Sequence, residues 1–408
     1  FRRSVILLIE HSQKEGSVGV ILNKPLSVSF NQVIKEGPDF DSKLFLGGPV
    51  QTDNIYFIGV VNPNLRIFDI IMETKYGTTY NSFLVKGDKV ALVETAHDTF
   101  SEAYLENILE ITSIESVDYI IMNHTEPDHA GSIKKILEIN PNVTVVATAA
   151  GIKNIKNITN IEFNSMIVKT GDKLDIGQDL VFEFITSPNL HWPDSMFTYL
   201  PKEKTVFTCD FLGAHYAETL VFDDKVTYPQ KYQEAFLGYY TAIFSPFKKF
   251  VLDGLDRLEK LDFEVVCCSH GPVLRKTIKQ AMELYRKWST MEPVEKNIAI
   301  FYVSAYGYTK MMAEKFEKEL NLAGVPTKSY NIIETETHVL MEAMEKASSI
   351  MLGSPTINKD ALKPVWDLIS SIDAVSLRCK SCFVFGSYGW SGEACNMLQN
   401  RVKDLGFN

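Results

Sequence analysis

Two hydrophobic rhythms run along this chain of 408 residues. Between about residues 52 and 288, short apolar runs are cut by turn signals and mixed with helical periodicity. Gly87-Asp88 separates the apolar runs 81–85 and 90–94, which predicts a hairpin. Further strands are predicted at 117–122, 143–148, 205–208 and 263–268, each ending in a polar or glycine-rich loop. Helices are predicted over 132–138 and 278–287. This mixture predicts a layered α/β domain whose chemistry sits on loops at strand ends. Residues 289–297, with Pro293 and several charges, read as a linker. Beyond them the alternation is regular. Strands at 298–303, 327–331, 349–352 and 382–385 alternate with helices at 309–320, 338–347, 362–372 and 392–405. Near-continuous apolar strands alternating with amphipathic helices predict a doubly wound parallel sheet over 298–408. The first 51 residues differ again, with strands at 5–10 and 18–22 around a Glu15-Gly16 turn and a later Gly47-Gly48-Pro49 turn. So short a segment buries too little surface to be stable alone.

Composition narrows the function. Hydrophobic residues make up 45% and charged residues 23%, which is globular. With 41 Lys+Arg against 51 Asp+Glu the net charge is −10, so the chain carries no electrostatic footprint for a nucleic acid. No apolar run is long enough to span a bilayer, and the apolar start is stopped early by Glu10 and His11. The 6 cysteines lack framework spacing, which predicts free thiols and a cytoplasmic protein. Cys379 and Cys382 form a single Cys-x-x-Cys without the second pair a zinc site would need.

The densest chemistry is His124-Thr125-Glu126-Pro127-Asp128-His129, directly after a predicted strand. Residues i and i+2 of an extended segment point to one side, so His124 and Glu126 can share a target. A turn at Pro127 can aim Asp128 and His129 at a neighbouring point, which suits two adjacent metals. His191, Asp210 and His270 stand at the ends of later strands. With His215, which follows Asp210 by five residues, five of the 8 histidines sit in strand-end loops, whereas His11, His97 and His338 do not.

This pattern, together with Tyr76-Gly77-Thr78-Thr79-Tyr80-Asn81-Ser82, resembles the metallo-β-lactamase fold in its flavodiiron form. The resemblance implies an αββα sandwich. It assigns His124, Glu126 and His191 to one iron, Asp128, His129 and His270 to the other, and Asp210 as the bridge. Hydrolytic members of that fold resemble His-x-His-x-Asp-His and bind zinc. Here Glu126 replaces the second histidine, and an oxygen-richer shell shifts preference toward iron. The resemblance also places His215 just behind the ligands, where it would orient a ligand or a bound intermediate; a plain surface histidine is the alternative.

Three loops at strand ends carry the second site. Ser304-Ala305-Tyr306-Gly307-Tyr308-Thr309 opens a helix, so its hydroxyls and free N–H groups can cradle a phosphate. Ser354-Pro355-Thr356-Ile357-Asn358 and Ser387-Tyr388-Gly389-Trp390-Ser391-Gly392 follow the third and fourth strands. Aromatics flanked by glycine can lie against an isoalloxazine ring, at the switch point where a flavodoxin-like sheet holds FMN. The segment resembles the flavodoxin module of the same family. By that resemblance it is C-terminally truncated, with its fourth strand left as an exposed edge.

The resemblance to flavodiiron proteins implies FMN and two Fe ions, electrons passing from FMN to a diiron centre, and reduction of O2 to water or NO to N2O. It further implies a head-to-tail homodimer or dimer of dimers and an external electron donor such as rubredoxin. Two other readings stand beside it: a zinc hydrolase with a flavodoxin appendage, and a chimeric electron-transfer flavoprotein without reductase activity. The segments 1–11, 19–25 and 45–50 resemble the opening of the YqgE/AlgH family, whose function is obscure. A genuine fusion and an assembly error both fit a join near residue 51.

Overall fold

The structure is a computed structural model, and it describes residues 6–12, 16–21, 54–68, 72–290, 296–372, 377 and 380–408. It divides into two compact units. One comprises the chain up to Ala242 together with Asp253–Tyr285, and the other comprises Ile243–Leu252 with Arg286–Asn408. The N-terminal strands Ile6–Ser12 and Gly16–Ile21 pair antiparallel, close to the two strands expected there, while Glu15 of the expected turn lies outside the described residues. The expected turn at Gly47 and the residue Cys379 lie outside the described residues.

The first unit is built on two sheets. One contains β1 (Ile55–Phe57), β2 (Phe83–Lys86), β3 (Val90–Val93), β4 (Val117–Ile121), β5 (Thr144–Ala147) and β6 (Asn164–Ile167), in the spatial order β6-β5-β4-β3-β2-β1. Strands β3 to β6 run parallel, while β2 pairs antiparallel with both β1 and β3. The other contains β7 (Lys173–Asp175), β8 (Val181–Thr186), β9 (Met196–Leu200), β10 (Thr205–Cys209) and β11 (Val265–Cys268), in sequence order.

Side chains that alternate along β2, β3 and β4 explain the layering. Leu84, Leu92 and Ile120 face one core, which they share with Tyr104, Ile108, Ile133, Ile136, Ile152 and Ile155 of three helices. Val85, Val93 and Ile121 face the opposite core, where Phe182, Phe184, Phe207 and Val265 of the second sheet meet them. Helices Pro229–Tyr239 and Ile278–Ser289 bring Phe236 and Tyr285 together at 5.2 Å, and Tyr285 packs on Phe211, which stacks on Phe197 of β9. The result is the αββα sandwich. Strands β6 to β9 and the helix Ala149–Thr159 are not foreseen by the periodicity: β6, β7 and β8 and the helix mix polar and apolar positions, while β9 is buried throughout.

One consequence of the pairing matters for function. Strand β9 is antiparallel to both β8 and β10, and β11 is parallel to β10, so β8, β10 and β11 all point the same way. Their carboxyl ends therefore share one edge of the sheet.

In the second unit, β12 (Ile298–Tyr302), β13 (Thr327–Asn331), β14 (Ser349–Gly353) and β15 (Ser381–Phe385) form a parallel sheet in the order β13-β12-β14-β15. Helices Tyr308–Leu322, Thr337–Lys346, Lys363–Ser370 and Glu393–Asp404 connect and follow them. Apolar clusters lie on both faces, around Phe301 and Leu352 on one and around Ile300 and Met351 on the other. The four parallel strands and these four helices lie within a few residues of those expected, whereas the short antiparallel pair Thr356–Ile357 and Asp360–Ala361 falls where a loop was expected. The expected edge at β15 is covered at its start: Asn408 N–H donates to Lys380 O at 2.9 Å and Asn408 O accepts from Cys382 N–H at 3.0 Å. Further along the strand, Phe383 is exposed.

Candidate metal centre

Strand β4 ends at Ile121, and the loop that follows carries the first candidate ligands. It is held rigidly. Met122 N–H donates to Val146 O, Asn123 N–H to Glu94 Oε1, and Asn123 O accepts from Met196 N–H. Pro127 then opens the short helix Pro127–Ala130, which turns Asp128 and His129 inward. His191 lies in the loop after β8, Asp210 directly follows β10, and His270 follows β11. The shared direction of those three strands delivers all three residues to one place.

There the seven side chains fall into two groups. His124, Glu126, His191 and Asp210 form one, and Asp128, His129 and His270 form the other, each with ligand atoms within 4.8 Å of one another. Asp210 belongs to both. Its Oδ2 lies 3.0 Å from His191 Nε2 and 3.5 Å from His124 Nε2, whereas its Oδ1 lies 2.9 Å from His129 Nε2 and 3.4 Å from His270 Nε2. Glu126 Oε2 completes the first group, 3.0 Å from His124 Nε2 and 3.2 Å from His191 Nε2. In the second, Asp128 Oδ2 lies 3.0 Å from His270 Nε2. Ligand atoms placed about 2.1 Å from a common ion stand roughly 3 to 3.5 Å apart, which is the spacing here.

The donors also need a cation. Asp128 is buried, yet neither carboxylate oxygen has a hydrogen-bond partner. An ionised carboxylate in that condition is costly unless a metal or a well-aligned donor meets it. Without metal, protons take the cation's place. Burial opposes charge on His129, but Asp128 and Asp210 prevail and its pKa is pushed up to about 10. Against the same burial, Asp194, Glu126 and Asp210 hold the pKa of His124 well above its ordinary value. Burial alone would raise the pKa of Asp210, yet the charges and hydrogen bonds of His129 and His191 hold it well below the carboxylate range.

His215 is buried, not a surface residue. Its Nδ1 is 2.9 Å from Thr78 Oγ1, its ring lies 4.9 Å from that of His270, and its Nε2 has no partner. Burial and the charge of His270 push its pKa well down, so it is a neutral imidazole. It lines a cleft of about 350 Å³ between Met72–Tyr76 and the helix bearing Glu234 and Tyr239.

Two buried carboxylates escaped the sequence reading. Glu94, at the end of β3, is 2% exposed and adopts φ +61°; burial pushes its pKa up to about 7. Asp194, three residues after His191, lies 3.6 Å from His124 Nδ1. A carboxylate close behind a histidine in sequence was the available signal for the second.

In the other unit, hydrogen bonds draw the three loops together. Thr309 Oγ1 is 2.8 Å from Ser387 Oγ, Thr356 N–H donates to Ser387 O at 2.9 Å, and Ala394 N–H donates to Thr356 Oγ1 at 3.2 Å. The loops gather at the carboxyl ends of β12, β14 and β15, the crevice where doubly wound sheets bind ligands. Tyr306, Tyr388 and Trp390 are 84%, 70% and 77% exposed, large apolar surfaces for which a planar ligand is a natural cover. Gly307 adopts φ +87° and has open space beside it at the start of the helix Tyr308–Leu322. Ser304 Oγ is without a partner, so the cradle has a free hydroxyl for a phosphate.

Fold and sites together define a two-module protein: a metallo-β-lactamase-like domain with two adjoining groups of candidate metal ligands, and a flavodoxin-like domain. Comparison with known proteins agrees. The family model described as ODP family beta lactamase matches residues 78–271 and the flavodoxin model matches residues 300–408. An AlgH-like model matches residues 1–104, running past the join expected near residue 51 and overlapping the lactamase-like match. The flavo-diiron protein FprA2 of Clostridium acetobutylicum is 48% identical over 361 residues, covering 86% of this chain and 90% of the relative. A nitric oxide reductase of Moorella thermoacetica is 34% identical over 356 residues, covering 86% of this chain and 88% of its own length. Among solved structures, the rubredoxin oxygen:oxidoreductase of Desulfovibrio gigas superposes with TM-score 0.66 at 26% identity, over 89% of this chain and 90% of that one. The chain belongs to the flavodiiron protein family.

Proposed function

We propose that this chain is a flavodiiron oxidoreductase that takes electrons through FMN and uses them at a diiron centre to reduce O2 to water or NO to N2O. The observation that carries the reading is the pair of ligand groups sharing the two oxygens of Asp210. When bound, FMN supplies one- and two-electron steps and the two irons supply a place where a diatomic molecule is reduced. The residues of the chain do the positioning. His124, Glu126 and His191 would hold one iron, Asp128, His129 and His270 the other. Three carboxylates, Glu126, Asp128 and Asp210, offset most of the charge of two divalent ions, and a bridging hydroxide would complete the balance. Neutral His215 would orient the ligand shell or a bound intermediate through its unpartnered Nε2. The hydroxyls of Ser304, Thr309 and Ser387 and the aromatic faces of Tyr388 and Trp390 would hold the flavin.

Two of the relatives named above are a nitric oxide reductase and a rubredoxin:oxygen oxidoreductase, which supports the choice of O2 and NO. Electrons must come from outside the chain, and a rubredoxin is the donor we propose. The metal ligands and the flavin loops lie in different units, so we further propose a head-to-tail homodimer that sets the FMN of one chain against the diiron site of the other. Among the described residues no helix is long and apolar enough to cross a membrane. The deciding experiment is anaerobic stopped-flow of the reduced, iron- and FMN-loaded protein against O2 and against NO. Rapid reoxidation by at least one of them is expected; reoxidation by neither rules the proposal out. Zinc without flavin in the purified protein would instead indicate a hydrolase.

A further inference from the structure

The loop 124–126 alternates. His124 and Glu126 face the metal centre, while Thr125 between them points the other way and its Oγ1 donates to Asp194 Oδ2 at 2.6 Å. Thr125 in turn accepts from Asn154 Nδ2 at 3.0 Å, on the helix Ala149–Thr159, and the backbone carbonyl of Asp194 accepts from Thr148 Oγ1 at 3.1 Å. Asp194 is thus held at its carboxylate by Thr125 and at its backbone by Thr148, in the interior, at 2% exposure. Its other oxygen, Oδ1, has no hydrogen-bond partner, and neither has Nδ1 of His124, itself 1% exposed. The two face each other at 3.6 Å. A buried carboxylate oxygen and a buried ring nitrogen, each otherwise alone, are complementary when the nitrogen carries a proton.

The second ligand group is backed differently. His270 Nδ1 meets the backbone carbonyl of Thr79 at 2.5 Å and Thr78 Oγ1 at 3.2 Å, both neutral oxygens, and His129 Nδ1 has no hydrogen bond. A carboxylate that takes the outer N–H of a ligating histidine fixes the tautomer with Nε2 toward the metal and makes that nitrogen the stronger donor.

We propose that Asp194 is a positioning residue that accepts the Nδ1 proton of His124 and so makes the His124–Glu126–His191 position the tighter of the two metal sites. This rests on the reading of those residues as metal ligands. Its effect is local, because Thr125 ties Asp194 to the ligand loop of one site, with Asn154 bracing Thr125 from behind.

The test is anaerobic titration of the metal-free full chain with Co2+, followed by the visible ligand-field bands and by equilibrium dialysis. The wild type is expected to bind two ions. In Asp194→Asn, one ion should bind ten- to a hundredfold more weakly and the other with its affinity unchanged. Thr125→Val keeps the carboxylate but frees its far oxygen, and should weaken the same site by a smaller factor. If Asp194→Asn does not fold, as judged by circular dichroism and FMN uptake, Thr125→Val decides alone. Equal weakening of both sites, or no weakening of either, overturns the proposal. Failure of the wild type to bind a pair of ions would instead overturn the metal reading beneath it.

Discussion

Replacing Glu94 by glutamine should change how the stability of the metal-free protein depends on pH. Glu94 is buried at 2% exposure, its Oε1 accepts from Asn123 N–H at 2.8 Å, and its Oε2 has no hydrogen-bond partner. Burial is the dominant influence and outweighs the nearby charge of His129, so the pKa rises from 4.5 to about 7. The folded state therefore binds this proton more tightly than the unfolded chain does. Below pH 4.5 the group is protonated in both states and costs nothing. Between 4.5 and 7 the unfolded chain ionises first, so stability falls as pH rises, and above 7 the loss is complete. A shift of about 2.5 units at 1.36 kcal/mol each corresponds to roughly 3 kcal/mol. Glutamine keeps the acceptor for Asn123 and does not ionise. Its amide adds a pH-independent cost, so the slope of the difference is the readout and not its absolute value. Urea denaturation of both metal-free proteins from pH 4 to 8.5 measures it, and the other compact unit cancels in the subtraction. The stability of Glu94→Gln minus that of wild type should climb by about 3 kcal/mol between the two limits and then level off. A flat difference would refute the view that Glu94 is forced toward its neutral form.

Three further outcomes follow from the geometry. At neutral pH the metal-free protein holds protons on His124 and on His129, whose pKa is about 10, so loading metal should release protons and affinity should rise with pH up to that value. A pH-indicator dye during Co2+ addition would read this, and no proton release would contradict it. Gly271 has φ +76°, and a Cβ there would lie 2.7 Å from Ala214 O; Gly271→Ala should cost about 1–3 kcal/mol and weaken metal binding by moving His270, measured by thermal unfolding and metal content. Trp390 is exposed, so Trp390→Ala should leave the fold intact but weaken FMN binding about tenfold, seen as recovered flavin fluorescence; unchanged affinity would remove the indole from the flavin site.

Much of this was legible in the residues. The flavodoxin-like unit reads well because its central strands β12 and β14, buried on both faces, are almost continuously apolar and the helices around them are amphipathic. The candidate ligands in 124–129 stand out because they are neighbours in the chain, and a proline between them announces the turn. The second sheet reads poorly. Strand β7 is only three residues long, and β8 alternates buried and half-buried positions that carry no turn signal, so local pattern does not separate them from loop.

Local sequence determined which side chains were available to bind metal and flavin, and on which strand ends they stand. Only the tertiary structure decided how they divide. That Asp210 gives one oxygen to each group follows from the common direction of β8, β10 and β11, which pairing across the sheet sets. That Asp194 backs His124 depends on Thr125 turning away from the metal and on a helix that begins at Ala149. Such relations join residues far apart in the chain, and no periodicity encodes them. They arise because burying two sheets against each other leaves one edge at which these polar groups can meet.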